Sequence, residues 1–408
     1  MGNKSIHGGE PLPRWAVNDY IKNITKLLLK LPIWGIQFLL FALPVQKDLA
    51  VIYSLRQRGY SCNLKYLDLY LRKYCTEKLR LVWVVNRKSD MDLLRARGVD
   101  AFMLYSKEHF AYRFFAKYII TNDDFYSLFI KRRGQRYINT WHGGINYKRI
   151  GYEGILFSNP VQKLIFKLAN PEPDIFVSGS LTFSESTAKA FGFKQSTFLS
   201  CGLPRNDVFF AEHARLAEEI KHSLGIKADK RIVLYAPTFR KDHCVPKCFN
   251  SDMLRDALRE RFGGEWLFLI RRHYFDEAAV EDGSHPDILD VSHYEDMQEL
   301  LLITDVLISD YSSSMWDFSM TERPIFTYMP DVKGYTQNDR GFFVNPEDMP
   351  YSVSCTPEEL YKNIRYFDEE KFRATIKRHH DEAGSYECGH SAERLAKAII
   401  CMDKGDKR

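Results

Sequence analysis

Leu301-Leu302-Ile303-Thr304-Asp305-Val306-Leu307-Ile308-Ser309-Asp310-Tyr311-Ser312-Ser313-Ser314-Met315-Trp316-Asp317-Phe318 is an apolar run that stops abruptly at a cluster of small hydroxyl residues. Val306 to Ser309 read as a buried parallel strand and Asp310 to Ser314 as the turn after it. Ser314 onward reads as a helix whose first backbone N–H groups lack an intrahelical partner. Such N–H groups beside hydroxyls suit a phosphate. A competing reading makes Ser312 or Ser313 only the cap of that helix, so the rest of the chain has to decide between the two.

The same pattern recurs on both sides. Ile232 to Ala236, Trp266 to Ile270, Ile288 to Val291 and Ile325 to Tyr328 are short β-rich runs alternating with helical stretches, as in an open parallel sheet covered by helices. Upstream lies a second set: Leu49 to Ser54, Leu79 to Val85, Ala101 to Leu104, Tyr118 to Thr121, Arg136 to Thr140, Ile175 to Val177 and Thr197 to Cys201. A charged helical stretch, Asp207 to Ile226, separates the sets and ends at Lys227-Ala228-Asp229-Lys230. The expected organisation is α/β, with two doubly wound domains at residues 46–226 and 227–375 and C-terminal helices with a charged tail at 376–408. Two such domains face a cleft lined by the carboxyl ends of their strands, where ligands of α/β sheets bind.

A net charge of +5 over 408 residues is too small for the field of a nucleic-acid-binding protein, and it suits a phosphate-bearing substrate or an anionic membrane surface. The eight cysteines are scattered without a paired framework, which fits a reducing compartment. His243-Cys244 with Cys248 lacks a second ligand pair and reads as a loop with ordinary thiols, so no metal site is expected. Near the N-terminus, Ile21, Ile24, Leu27, Leu28 and Leu31 fall at helical spacing with Lys22, Lys26 and Lys30 between them. The apolar run Leu31 to Leu43 is shorter than the about 20 residues a membrane span needs. Residues 1–45 therefore read as an amphipathic segment lying on the inner leaflet, with packing on the protein's own core as the rival.

Four segments fall where strands should end. The first is Asn139-Thr140-Trp141-His142-Gly143-Gly144, with Lys148-Arg149-Ile150-Gly151 following; glycines beside His142 let backbone and ligand approach closely. The second, Gly202-Leu203-Pro204-Arg205-Asn206-Asp207, presents an arginine and an Asn, either to a ligand or as the cap of the next helix. The third joins Tyr235-Ala236-Pro237-Thr238-Phe239-Arg240 to Arg271-Arg272-His273, cations and an imidazole suited to paired phosphates. The fourth is the hydroxyl cluster with Arg323-Pro324 and Arg340-Gly341-Phe342 downstream.

In that order the four segments resemble the CDP-glycerol glycerophosphotransferases of teichoic acid and capsule synthesis, a family of primases and polymerases that build poly(polyol phosphate) chains. The resemblance runs from about Leu49 to about Asp348. It implies a GT-B type fold of two Rossmann-like domains, a membrane-associated N-terminal segment and a cytidine diphosphate polyol donor, with no cofactor. By the same resemblance, His142 corresponds to the family's proposed base and His273 to its second essential histidine, while Ser312, Ser313 and Arg340 correspond to phosphate-binding groups. Gly143, Arg240, Arg272, Asp310 and Ser314 complete the expected donor site. Two departures stand out. Gly144-Ile145-Asn146-Tyr147-Lys148-Arg149 replaces the family's usual Thr-Pro-Leu-Lys-Lys, and Tyr274 follows His273 where proline is usual.

The expected reaction moves glycerol phosphate from CDP-glycerol to a hydroxyl of a lipid-linked saccharide or poly(polyol phosphate) acceptor at the cytoplasmic face of the cell membrane, releasing CMP. His142 would take the hydroxyl proton, while arginines and helix N–H groups stabilise the leaving phosphate; no residue pattern implies Mg²⁺. The sequence leaves open CDP-ribitol as donor, a GT-B glycosyltransferase and a non-enzymatic membrane scaffold. Primase and polymerase activity also stay open, as does the oligomeric state.

Overall fold

The computed structural model describes residues 31–54, 59–75, 77–123, 130–151, 167, 171–238, 250–272, 287–332 and 341–402. Two parallel sheets organise them. The first contains β1 (Gln46–Tyr53), β2 (Arg80–Val85), β3 (Ala101–Met103), β4 (Ala116–Thr121), β5 (Arg136–Asn139), β6 (Ile175–Ser178) and β7 (Phe198–Ser200) in the order β3-β2-β1-β4-β5-β6-β7. The second contains β8 (Arg231–Tyr235), β9 (Trp266–Ile270), β10 (Ile288–Asp290), β11 (Val306–Ser309), β12 (Ile325–Tyr328) and β13 (Ser352–Ser354) in the order β10-β9-β8-β11-β12-β13.

In each sheet the strand order reverses beside the first strand, between β1 and β4 and between β8 and β11. Loops leaving the two strands diverge there and open a crevice. Register fixes where the crevices lie: Tyr53 pairs with Thr121 at the end of one, and Ile308 pairs with Tyr235 at the end of the other. The central strands are buried along nearly their whole length, so their Val, Ile and Leu runs show no alternation, as expected of strands covered on both faces. Fully buried Phe176, Phe183 and Phe318 each stabilise the cores by about 1.5–3 kcal/mol through removal from water.

Three elements differ from the sequence reading. Asp207 to Ile226 is not one helix: a 3-10 segment (Pro204–Phe209) precedes a helix at Ala214–Ser223. β13 had no apolar run to announce it. Residue 375, placed at a domain end, lies inside the helix Glu369–Ala383. After that helix the chain returns to the first sheet. Ser180 and Ser385 form an antiparallel bridge, and Leu395, Ala396 and Ile399 of the helix Ser391–Cys401 enter the core beside β1, β2 and β4.

The helix Leu31–Leu40 is pinned to the first domain by Gln37, whose Oε1 accepts the Ile130 N–H at 2.8 Å, and by Arg132, which donates to Leu43 O. Outward it exposes Ile36, Phe38 and Leu39, at 59%, 62% and 81% of their surface. Among the described residues no helix is long and apolar enough to cross a membrane. Residues 1–30, which carry most of the expected amphipathic pattern, lie outside the described residues.

Candidate active site

His142 stands two residues beyond Thr140, just after β5, and its loop is tightly tied. Asn139 Oδ1 accepts the Trp141 N–H at 2.8 Å, and its Nδ2 donates to Asp123 O and to Tyr137 Oη, both at 2.9 Å. Asn63 Nδ2 reaches across from the helix Cys62–Tyr74 to donate to Thr140 O at 2.9 Å and Trp141 O at 3.0 Å. These bonds hold Trp141 in the left-handed region at φ 50°, a strained conformation for a bulky residue that persists only where the surroundings fix it. The Trp141 ring then stacks on His142 at 4.6 Å.

Nδ1 of His142 lies 2.9 Å from Asn122 O, the residue after β4. A carbonyl oxygen only accepts, so Nδ1 carries the proton and Nε2 is left as the acceptor. Burial pushes the imidazole pKa below its ordinary value, with Arg205 and Lys148 acting in the same direction, while Asp123 and the Asn122 carbonyl oppose them. The net downward shift keeps the ring neutral near pH 7, the state a general base requires.

The next two residues carry the loop onto the second domain. A Cβ on Gly143 would lie 3.7 Å from Ser313 Oγ, so the histidine loop and the hydroxyl turn are in van der Waals reach. Gly144 is closer still: a Cβ there would meet Trp316 Nε1 at 2.3 Å. Beyond it, Lys148 forms an antiparallel bridge with Phe342, and the Arg149 N–H donates to Gly341 O at 2.9 Å. The Lys148-Arg149 and Gly341-Phe342 segments of the sequence thus meet in space.

On the second domain, Asp310 accepts the Thr238 N–H through both oxygens, at 2.9 and 3.0 Å, which fastens the turn after β8 to the turn after β11. Its carboxylate organises the crevice walls. Ser312 Oγ, one residue ahead of the cap position, accepts the Ser314 N–H at 3.2 Å and the Ser314 hydroxyl at 2.9 Å, a local turn contact. Ser313 makes no cap bond and faces Gly143. The helix these residues begin, Ser314–Ser319, is short.

Arg272 pairs with Asp290 at 2.7 Å, at the edge of the sheet. Arg271 belongs to the third segment of the sequence, although the expected donor site includes only its neighbour Arg272. The Arg271 N–H donates to Tyr235 O at 2.9 Å, its Nη1 is buried without a partner among the described residues, and burial lowers its pKa. Arg272 Nε is likewise buried without a partner among the described residues, but that guanidinium is already paired with Asp290, whereas no ion pair involving Arg271 is seen among the described residues. His273, Arg240 and Arg340 lie outside the described residues, as do His243, Cys244 and Cys248. Among the described residues no group of three or more His, Cys, Asp or Glu could hold a metal ion.

The second motif is used differently from either expectation. Arg205 Nη1 donates to His142 O at 3.0 Å and Nη2 pairs with Asp317 at 2.7 Å, with both side chains almost wholly buried. Asn206 Nδ2 donates to Glu387 at 3.1 Å, and Asp207 accepts the Ser391 and Ala392 N–H groups, each at 2.8 Å. Asp207 therefore caps a helix that follows it by nearly 200 residues. Sequence adjacency had suggested a nearer one. Asn63 and Glu387 belong to the same arrangement and no motif in the sequence marks them, while Trp316 lies in the run that ends at the hydroxyl cluster.

Two facing doubly wound domains, with a histidine loop on one wall and a hydroxyl turn on the other, define a GT-B type architecture. UDP-GlcNAc 2-epimerase from Neisseria meningitidis shares that fold, with a TM-score of 0.52 over 86% of this chain and 99% of that one at 9% identity. A solved structure of the wall teichoic acid polymerase TagF is much nearer, with a TM-score of 0.79 over 98% of this chain and all of that one at 25% identity. The chain belongs to the CDP-Glycerol:Poly(glycerophosphate) glycerophosphotransferase family, whose profile matches residues 36–401. It is 30% identical to the teichoic acid poly(glycerol phosphate) polymerase of Bacillus spizizenii over 88% of this chain and 93% of that protein. To the teichoic acid glycerol-phosphate transferase of Staphylococcus aureus it is 29% identical, over 93% and 100%. The polymerase of Staphylococcus epidermidis is 28% identical over 87% of this chain, which spans 51% of that longer protein.

Proposed function

We propose that this chain transfers glycerol phosphate from CDP-glycerol to a hydroxyl at the end of a poly(glycerol phosphate) or lipid-linked saccharide acceptor, in teichoic acid synthesis. The observation that carries this reading is the His142 loop, a neutral imidazole with Nε2 left as acceptor, held against the hydroxyl turn of the opposite domain. The acceptor oxygen attacks the phosphorus that bears glycerol, and its proton passes to His142 Nε2. The bond from that phosphorus to the bridging oxygen breaks, and CMP leaves with the electron pair. Ser313 and Arg271 are the described groups available to the developing phosphate charge, and proton transfer of this kind contributes about 10²–10⁴-fold.

CMP release from CDP-glycerol, CDP-ribitol and UDP-sugars tests the reading, with His142→Ala as the paired control. Release from CDP-glycerol that His142→Ala abolishes, with donor affinity kept within a few-fold, is the expected result. Turnover of a UDP-sugar alone would assign the cleft to glycosyl transfer, and release from CDP-ribitol alone would change the polyol.

The site of action we place at the cytoplasmic face of the membrane. The exposed apolar side of the helix Leu31–Leu40 and a groove of about 290 Å³ between it and Phe110, Phe114 and Phe115 support an interfacial contact near a lipid-linked acceptor.

A further inference from the structure

We propose that Arg205 is a positioning residue that sets both the orientation and the proton affinity of His142, and that it does so only while paired with Asp317 of the opposite domain. The inference rests on the base role of His142.

Its geometry is that of a single guanidinium shared by two domains. Nη1 donates to the His142 carbonyl at 3.0 Å and to Cys62 Sγ at 3.2 Å, and Nη2 pairs with Asp317 at 2.7 Å. The backbone beneath it cannot drift: the Arg205 N–H donates to Asn63 Oδ1 at 3.2 Å, and Asn63 also holds Thr140 O and Trp141 O. Asp317 is held in turn by Gln298 Nε2 at 3.0 Å. Side-chain exposure is 6% for Arg205 and 3% for Asp317, so water does not replace either partner. The two carbonyls ahead of His142 are thereby fixed from the first domain, and the carbonyl of His142 itself is fixed by a group whose charge is balanced from the second. Separating the domains would leave that guanidinium unbalanced beside the base.

The charges facing His142 are Asp123 from its own domain, Lys148 further along its loop, and Arg205; Asp317 faces Arg205. Two substitutions therefore push the base in opposite directions. Arg205→Gln removes a cation and raises the His142 pKa, moving the acid limb of the pH–rate profile toward alkali. Asp317→Asn leaves the cation unbalanced and lowers it, moving the limb toward acid. Arg205→Lys keeps the charge but loses the fork that reaches carbonyl and carboxylate together, so its limb stays in place while kcat falls. A loop displaced by about 1 Å costs about 10²-fold in rate.

The test is the pH dependence of CMP release for the three variants and the parent, with the imidazole titrated directly by NMR of histidine-labelled protein using His142→Ala to assign the signal. Expected are opposite pKa displacements in Arg205→Gln and Asp317→Asn, and a kcat fall of about 10²-fold in Arg205→Lys with the donor KM within threefold. Displacements of the same sign, or none, would overturn the proposal, as would an Arg205→Lys enzyme with parental kcat. The NMR titration needs no turnover. A parent that releases no CMP from any CDP-polyol thus refutes the function while the coupling is still measured.

Discussion

Gly144→Ala is the substitution that most directly asks whether the two domains meet as described. The new methyl would sit 2.3 Å from Trp316 Nε1, 2.5 Å from Trp316 Cδ1 and 3.2 Å from Leu203 Cδ1, so one surface must withdraw by about 1 Å to reach ordinary contact. Neither can do so easily. Trp316 is fully buried, with the rings of His379 and His380 at 5.6 and 5.1 Å, and His380 Nε2 is hydrogen-bonded to Ser319 Oγ at 2.7 Å. On the other side Gly144 O accepts the Ser180 hydroxyl at 2.8 Å, and Gly179 packs on the Gly144 Cα. Overpacking of this kind costs about 1–3 kcal/mol. The histidine loop carries the displacement, so kcat should fall by about 10²-fold, more than the stability loss alone would produce. Thermal melting and CMP release on the same preparation measure both. A variant with parental melting temperature and parental kcat would show that the loop and Trp316 are not in contact in solution.

Arg271→Gln removes the buried donor beside Tyr235 and should weaken CDP binding by about 10–100-fold in a calorimetric titration, because a charge-assisted contact contributes about 1.5–3 kcal/mol; unchanged affinity would exclude Arg271 from the donor site. Glu387 offers a pH test. Burial, aided by Asp317, pushes its carboxyl up to about 8, against the Leu203 N–H and the Asn206 amide, which favour the ionised form. A raised acid pKa means that folding favours the protonated form, so stability is full below the unfolded pKa and falls as pH rises from about 4.5 to about 8. Glu387→Gln should flatten that decline in chemical denaturation curves taken across the window, and a decline of parental slope would remove Glu387 as its source. Phe38→Glu with Leu39→Glu should reduce pelleting with anionic liposomes, since both side chains are exposed on the helix Leu31–Leu40; equal pelleting of variant and parent would move the membrane contact elsewhere.

The central strands were legible because they are short apolar runs buried on both faces, and β9, β11 and β12 match their sequence-read limits residue for residue. β13 was not, since Ser352–Ser354 carries one apolar residue and sits at an edge. At the site, His142 and Gly143 were visible as a loop after a strand, and the structure brings them to Ser313. Their supports were not visible. Arg205 and Asp317 are over a hundred residues apart, and no local pattern says that a guanidinium in one domain faces a carboxylate in the other. Asp310 was legible as part of a motif, but its work on the Thr238 N–H belongs to the pairing of β8 with β11, which only the topology supplies.

The return of the helix Ser391–Cys401 to the first sheet also orders events in time. The apolar surface that Leu395, Ala396 and Ile399 cover belongs to strands made near the start of the chain, and everything from residue 227 to 390 is synthesised in between. At translation rates of about 5–20 residues per second, that surface waits on the order of 10–30 s for its cover. During that interval the first domain is an incomplete body with an open core, while the second can already close on itself. The Asp207 carboxylate, also waiting, is the docking point that the arriving helix N-terminus finds. Assembly of the cleft is therefore a closing step of folding, and a nascent chain cut short before Ser391 would hold the His142 loop without the lid that completes the core beneath it.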